Sequence, residues 1–160
     1  MRTFASLCYV LTGFSFLLIA LSTIQGYLEF AVFGAKHAAL GLVAGILYLA
    51  TQTLVVFFFV GAGISVREYV RERGLAPACI QRMNGIKHKL YPPTMLNIML
   101  VMIAFVSGGA ADTKVIPAWL HGMIAVAAAL HYAMTIRTQH RCFQENATLI
   151  NELYATDSSE

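Results

Sequence analysis

Four long apolar stretches divide the chain, separated by short segments rich in glycine, proline and charge. The stretch at 38–64, AALGLVAGILYLATQTLVVFFFVGAGI, contains no charged residue. At ~1.5 Å of rise per residue it exceeds the ~20 residues that cross a bilayer. Lys36 and His37 precede it, and Arg67, Arg71 and Arg73 follow it. His37, Gly41, Gly45, Tyr48 and Gln52 recur along it at helical spacing, so one face differs from the rest and calls for neighbouring helices.

The other stretches supply those neighbours. In the first, at about 4–25, Thr12, Ser15, Ser22 and Gly26 trace one face of small and hydroxylated residues. Its apolar run is longer than the ~7–15 residues of a signal-peptide core and no small-x-small site follows, which predicts a retained helix. The third span is expected at 93–109, with Pro92 and Pro93 in its first turn, where missing N–H groups cost least. Asn97, Val101, Ala104 and Gly108 share one of its faces. The fourth, at 117–137, carries Ala125, Ala129 and Ala133 at four-residue spacing.

Two charged continuations complete the pattern. SVREYVRER extends the second helix until Gly74 and Pro77 stop it. Beyond 140, Phe143, Ala147, Ile150 and Tyr154 form an apolar stripe, which predicts an amphipathic helix on the membrane surface or on a partner. The last residues, ATDSSE, are expected to be disordered. The predicted fold class is all-α: an integral membrane up-down-up-down four-helix bundle over 1–140, with an amphipathic cytoplasmic C-terminal tail over 141–160.

Composition agrees with this. Only 12% of the 160 residues are charged, against about 25% in soluble domains. Nine of the 11 Lys and Arg residues fall on the side of the two termini, and only Lys36 and Lys114 on the other. That bias places both termini in the cytoplasm of a cell with an inner (plasma) membrane. No continuous basic face forms, so nucleic acid is not an expected partner. Cys8, Cys79 and Cys142 show no C-x-x-C spacing and read as inert thiols.

Candidate chemistry rests on five histidines. Gly-rich phosphate loops, H-E-x-x-H and G-x-S-x-G are absent, and no acidic pair lies within a span. His37 and His121 fall near the outer surface on the second and fourth helices. Two neutral imidazoles on separate helices, with small residues beside them, suit haem b, whose iron takes one nitrogen from each side. Gly41, Gly45 and Ala125 are the residues expected to make room, with Tyr48, Tyr132 and Gln52 deeper. A second, inner site is drawn from His131 with His88 or His140. In architecture this resembles four-helix membrane cytochromes b, through those two histidines and the small residues around them.

The leading expectation is thus a small membrane protein that binds haem b and exchanges electrons with a quinone or a redox protein. The alternative is a non-catalytic subunit or assembly factor of a larger membrane complex or homo-oligomer. A third reading, conduction of protons or solute through His131 and Asn97, follows from the cost of ionisable groups in lipid.

Overall fold

The computed structural model describes residues 2–32, 34–75 and 77–157. They form four α-helices: α1 (Arg2–Leu28), α2 (His37–Glu72), α3 (Ala78–Asp112) and α4 (Ala118–Asp157). All four are long and apolar enough to cross a membrane. Their outward faces carry large apolar side chains throughout the spans, such as Leu17, Ile46, Met99 and Leu130. Lipid is the solvent that tolerates such a belt. The chain is a multi-pass membrane protein.

α1 packs against α2 and α4, and α3 against the same two, so α2 and α4 face each other diagonally across a four-helix bundle. One end, termed apical below, carries the α1–α2 and α3–α4 connections. The other, basal, carries the α2–α3 turn and the first residues of α1. At the apical end Gln25 holds the first connection, its Nε2 donating to the carbonyls of Phe30 (2.7 Å) and Ala35 (2.8 Å). At the basal end Gly74 adopts φ +65° and Leu75 N–H returns to the Val70 carbonyl, a glycine-stopped helix end.

Two features differ from the sequence reading. α3 does not open at Tyr91. It begins at Ala78 and runs through Pro92 and Pro93, which are interior helical residues. The proline penalty is met by tertiary packing, because Met83, Ile86 and Leu90 one to three turns earlier are buried against α2 and α4. The expected boundary at residue 140 likewise falls inside α4, which continues unbroken to Asp157. The buried row of this extension is Cys142, Phe143, Asn146, Leu149 and Leu153, whereas Ala147 and Tyr154 are exposed. Of the ATDSSE expected to be disordered, residues 155–157 form the end of α4, whose helical bonding continues that far, and residues 158–160 lie outside the described residues.

α2, α3 and α4 therefore overshoot the membrane and pack together as a three-helix basal extension. Val66, Val70, Met83, Ile86, Leu149 and Leu153 fill its core. Arg82 pairs with Glu152, and Lys89 with Glu145 at 2.9 Å, on its exposed side. Such exposed pairs fix register more than they stabilise.

Candidate functional site

His37 is the first residue of α2, following Lys36 in extended conformation, and His121 sits one turn into α4. Diagonal placement of these helices brings the two rings together at the apical end. Their centroids are 5.9 Å apart and their planes meet at 53°. The sequence-predicted pair is thus a real juxtaposition.

Hydrogen bonding sets which ring nitrogen carries the proton. His37 Nδ1 lies 3.0 Å from the Ser22 carbonyl oxygen, which can only accept, so Nδ1–H donates. His121 Nδ1 lies 3.2 Å from Ser107 Oγ. The Ser107 hydroxyl gives its proton to the Ala104 carbonyl at 2.9 Å, so its oxygen accepts from His121 Nδ1–H. These bonds favour the Nδ1–H tautomer of both rings, and no side-chain hydrogen bond engages either Nε2 among the described residues. An outer partner on the second nitrogen is the usual support of a metal-binding imidazole.

Glycines allow the flanking helices to press on these rings. A Cβ at Gly26 would stand 3.0 Å from His37 Cε1, and one at Gly108 would stand 3.1 Å from His121 Cε1. The glycines expected to make room for a cofactor lie beside protein side chains. A Cβ at Gly41 would stand 3.3 Å from Ser22 Oγ, and one at Gly45 would stand 3.4 Å from the Phe105 ring. Ala125 is only half-buried. The small side chains on the core face just below the imidazoles are instead Ala44 and Ala128, each 2% exposed. Next comes the Tyr48–Tyr132 pair, edge to face with centroids 4.9 Å apart.

Below the histidines the bundle interior is polar. Gln52 Nε2 donates to Tyr132 Oη (3.1 Å), which lies 2.7 Å from Ser15 Oγ. Ser15 donates onward to the Thr12 carbonyl at 3.1 Å. Gln139 Nε2 donates to Gln52 Oε1 at 2.6 Å. Tyr48 Oη donates to Asn97 Oδ1 (2.7 Å), and Asn97 Nδ2 donates to the Ala128 carbonyl (3.1 Å). Each of these side chains bonds at least one group of another helix, as burial in lipid favours, while Gln139 Oε1 has no hydrogen-bond partner among the described residues.

The inner histidines are not brought together. His131 is half-buried, with its Nδ1 3.4 Å from Thr135 Oγ1 of its own helix, while Asn97 is engaged elsewhere. His140 is exposed and bonds Tyr9 Oη at 3.0 Å. His88 is exposed on α3 beside Lys89, which pairs with Glu145. That register sets His88 roughly 20 Å below His131 along the bundle, at 1.5 Å per residue. Sequence reasoning missed Ser107, the partner of His121. Its signal was faint: a lone hydroxyl before Gly108.

Two imidazoles that share one metal through Nε2, at ~2.0–2.1 Å per bond, have centroids roughly 5–6.5 Å apart. The observed 5.9 Å lies within that range. Among the described residues no group of three or more His, Cys, Asp or Glu side chains assembles, so the pair gains no third ligand of those types. No protein-family model, no curated protein and no solved structure matches this chain.

Proposed function

We propose that this is an inner-membrane subunit, its termini and basal end cytoplasmic, that binds haem b between His37 and His121. In this reading it exchanges electrons with a quinone or a redox protein. One observation carries it. Imidazoles from diagonal helices meet with ring centroids 5.9 Å apart, each held by a hydrogen bond at Nδ1 to a neighbouring helix. The donor set fits haem iron, to which the porphyrin gives four nitrogens and the protein two. Structural zinc fits less well, since it asks for four protein ligands and finds two histidines.

When bound, the haem supplies one-electron chemistry whose potential the protein tunes through ligands, hydrogen bonds and burial. The chain's own residues do the rest. The Ser22 carbonyl and the Ser107 hydroxyl orient the rings and raise their basicity. Ala44 and Ala128 keep the layer beneath them narrow in side chain. Gly26 and Gly108 let α1 and α3 close over the imidazoles and limit water. The excess of Lys and Arg at the basal end favours a cytoplasmic location for it.

A second reading, a docking subunit without redox chemistry, is favoured by the basal extension. There α2 and α4 border a groove lined by Glu68, Tyr69, Glu72, Leu153 and Tyr154. A reduced-minus-oxidised visible spectrum of detergent-purified protein separates the two. A b-type α-band that His37→Ala and His121→Ala each remove supports the haem site. Colourless protein after expression with ample haem overturns it, and a co-purifying complex would then support docking.

A further inference from the structure

The two halves of the chain repeat one another. Residues 121–156 of α4 can each be set against the residue of α2 that stands 84 positions earlier. His37 then meets His121, Ala44 meets Ala128, Tyr48 meets Tyr132, Thr51 meets Thr135 and Phe59 meets Phe143. Of these, all but the half-buried histidines are buried in both helices. Between α1 and α3 the interval is 82. Thr12 meets Thr94, and Gly26 meets Gly108. Buried Ser15 and Ile19 meet buried Asn97 and Val101.

The contacts obey the same exchange. Gly26 of α1 lies against the His37 ring, and Gly108 of α3 lies against the His121 ring. Ser15 of α1 bonds the Tyr132 hydroxyl, and its counterpart Asn97 of α3 bonds the Tyr48 hydroxyl. Three counterpart pairs also touch one another across the bundle. These are His37 with His121 at 5.9 Å, Tyr48 with Tyr132 at 4.9 Å and Phe59 with Phe143 at 5.0 Å. Residues touch their own counterparts only on a two-fold axis. Neither the sequence interval nor the swapped contacts follow from membrane burial alone.

We propose that the chain is two tandem copies of one helical hairpin, α1–α2 and α3–α4, and that the ligand of the histidine pair sits on the pseudo-two-fold axis between them. The second part rests on the reading of His37 and His121 as haem ligands. It fixes the stoichiometry at one haem per chain, with each copy giving one equivalent imidazole. The inner histidines fall outside the repeat. The counterparts of His88, His131 and His140 are Ser6, Leu47 and Val56, so no second axial site is built.

The test is a hemin titration of detergent-purified full-length protein, read in the Soret band. Binding is expected to saturate at one hemin per chain. His37→Ala and His121→Ala each lose more than the ~10–100-fold that removal of an outer-shell partner costs. Added imidazole should restore the spectrum of both variants to the same extent. Saturation at two hemins, or one histidine variant that keeps bis-imidazole absorption while the other loses it, overturns the shared axial site. Absence of hemin binding to the parent overturns the haem reading and the axial ligand with it. The duplication is judged separately on ligand-free protein, with Gly26→Ala and Gly108→Ala. Midpoints of thermal unfolding that shift in the same direction and within twofold of each other support two copies. A shift confined to one variant overturns them.

Discussion

Tyr132→Phe tests the buried polar seam most directly. The Tyr132 hydroxyl accepts from Gln52 Nε2 and reaches Ser15 Oγ, and all three residues are essentially inaccessible. Removing the oxygen leaves a Gln52 N–H without an acceptor, while Ser15 keeps its bond to the Thr12 carbonyl. A buried polar group without its partner costs about 1–3 kcal/mol. Side-chain hydrogen bonds measured within membranes average only ~0.6 kcal/mol and reach ~1.7. The overlap gives an expected loss of about 1–2 kcal/mol, close to tenfold in the unfolding equilibrium. The assay is reversible unfolding by SDS in mixed micelles, followed by far-UV circular dichroism. A double-mutant cycle with Ser15→Ala should return a coupling of about 0.6–1.7 kcal/mol. An unaltered Tyr132→Phe midpoint, or zero coupling, would refute the seam as drawn.

Other outcomes follow from neighbouring groups. Asn97→Leu should cost about 1–3 kcal/mol by leaving the Tyr48 hydroxyl unpaired, whereas Tyr48→Phe/Asn97→Leu should recover most of that loss in the same SDS assay. Ser107→Ala should weaken hemin binding by about 10–100-fold, because His121 loses the acceptor that fixes its tautomer. Cys142 lies in the basal extension below the span, where burial first and Glu145 second push its thiol up to about 11. Maleimide at neutral pH should therefore label half-buried Cys79 in the folded protein, with Cys8 and Cys142 reacting only after SDS denaturation, as mass spectrometry would show. The unfolded thiol ionises near 9.0 and the folded one later. Stability should thus fall as pH rises from about 9 towards 11, by circular dichroism melts of parent against Cys142→Ala. Arg82→Gln should leave the melting midpoint unaltered, since its pair with Glu152 is solvent-exposed.

Much of this architecture was legible in the sequence because lipid imposes a simple rule on apolar length. The spans and the shared depth of His37 and His121 follow from hydropathy, whereas their meeting depends on neighbour order and helix rotation, which only the folded bundle shows. Pro92 and Pro93 misled because their local preference for a first turn is overridden by the Met83, Ile86 and Leu90 row, which is buried in the basal core. The C-terminal stripe was misjudged because buried Asn146 does not register as apolar, and the true contact row adjoins the one hydropathy selects. Gly41 and Gly45 show a further limit. Spacing reveals that a small residue is present, but only packing shows whether a cofactor or a neighbouring side chain takes the space. The repeat was concealed for a related reason. It survives in register and burial more than in residue identity.

α4 runs without a break from the histidine layer to the basal tip. From His121 to Tyr154 it forms a rod roughly 50 Å long at 1.5 Å per residue. Over that length a tilt of about 5° at the imidazole displaces the far end by about 4 Å, more than enough to remake a side-chain contact. No proline lies within α4 and no glycine follows Gly122, so a rigid-body tilt of the helix about His121 would carry undiminished to Tyr154.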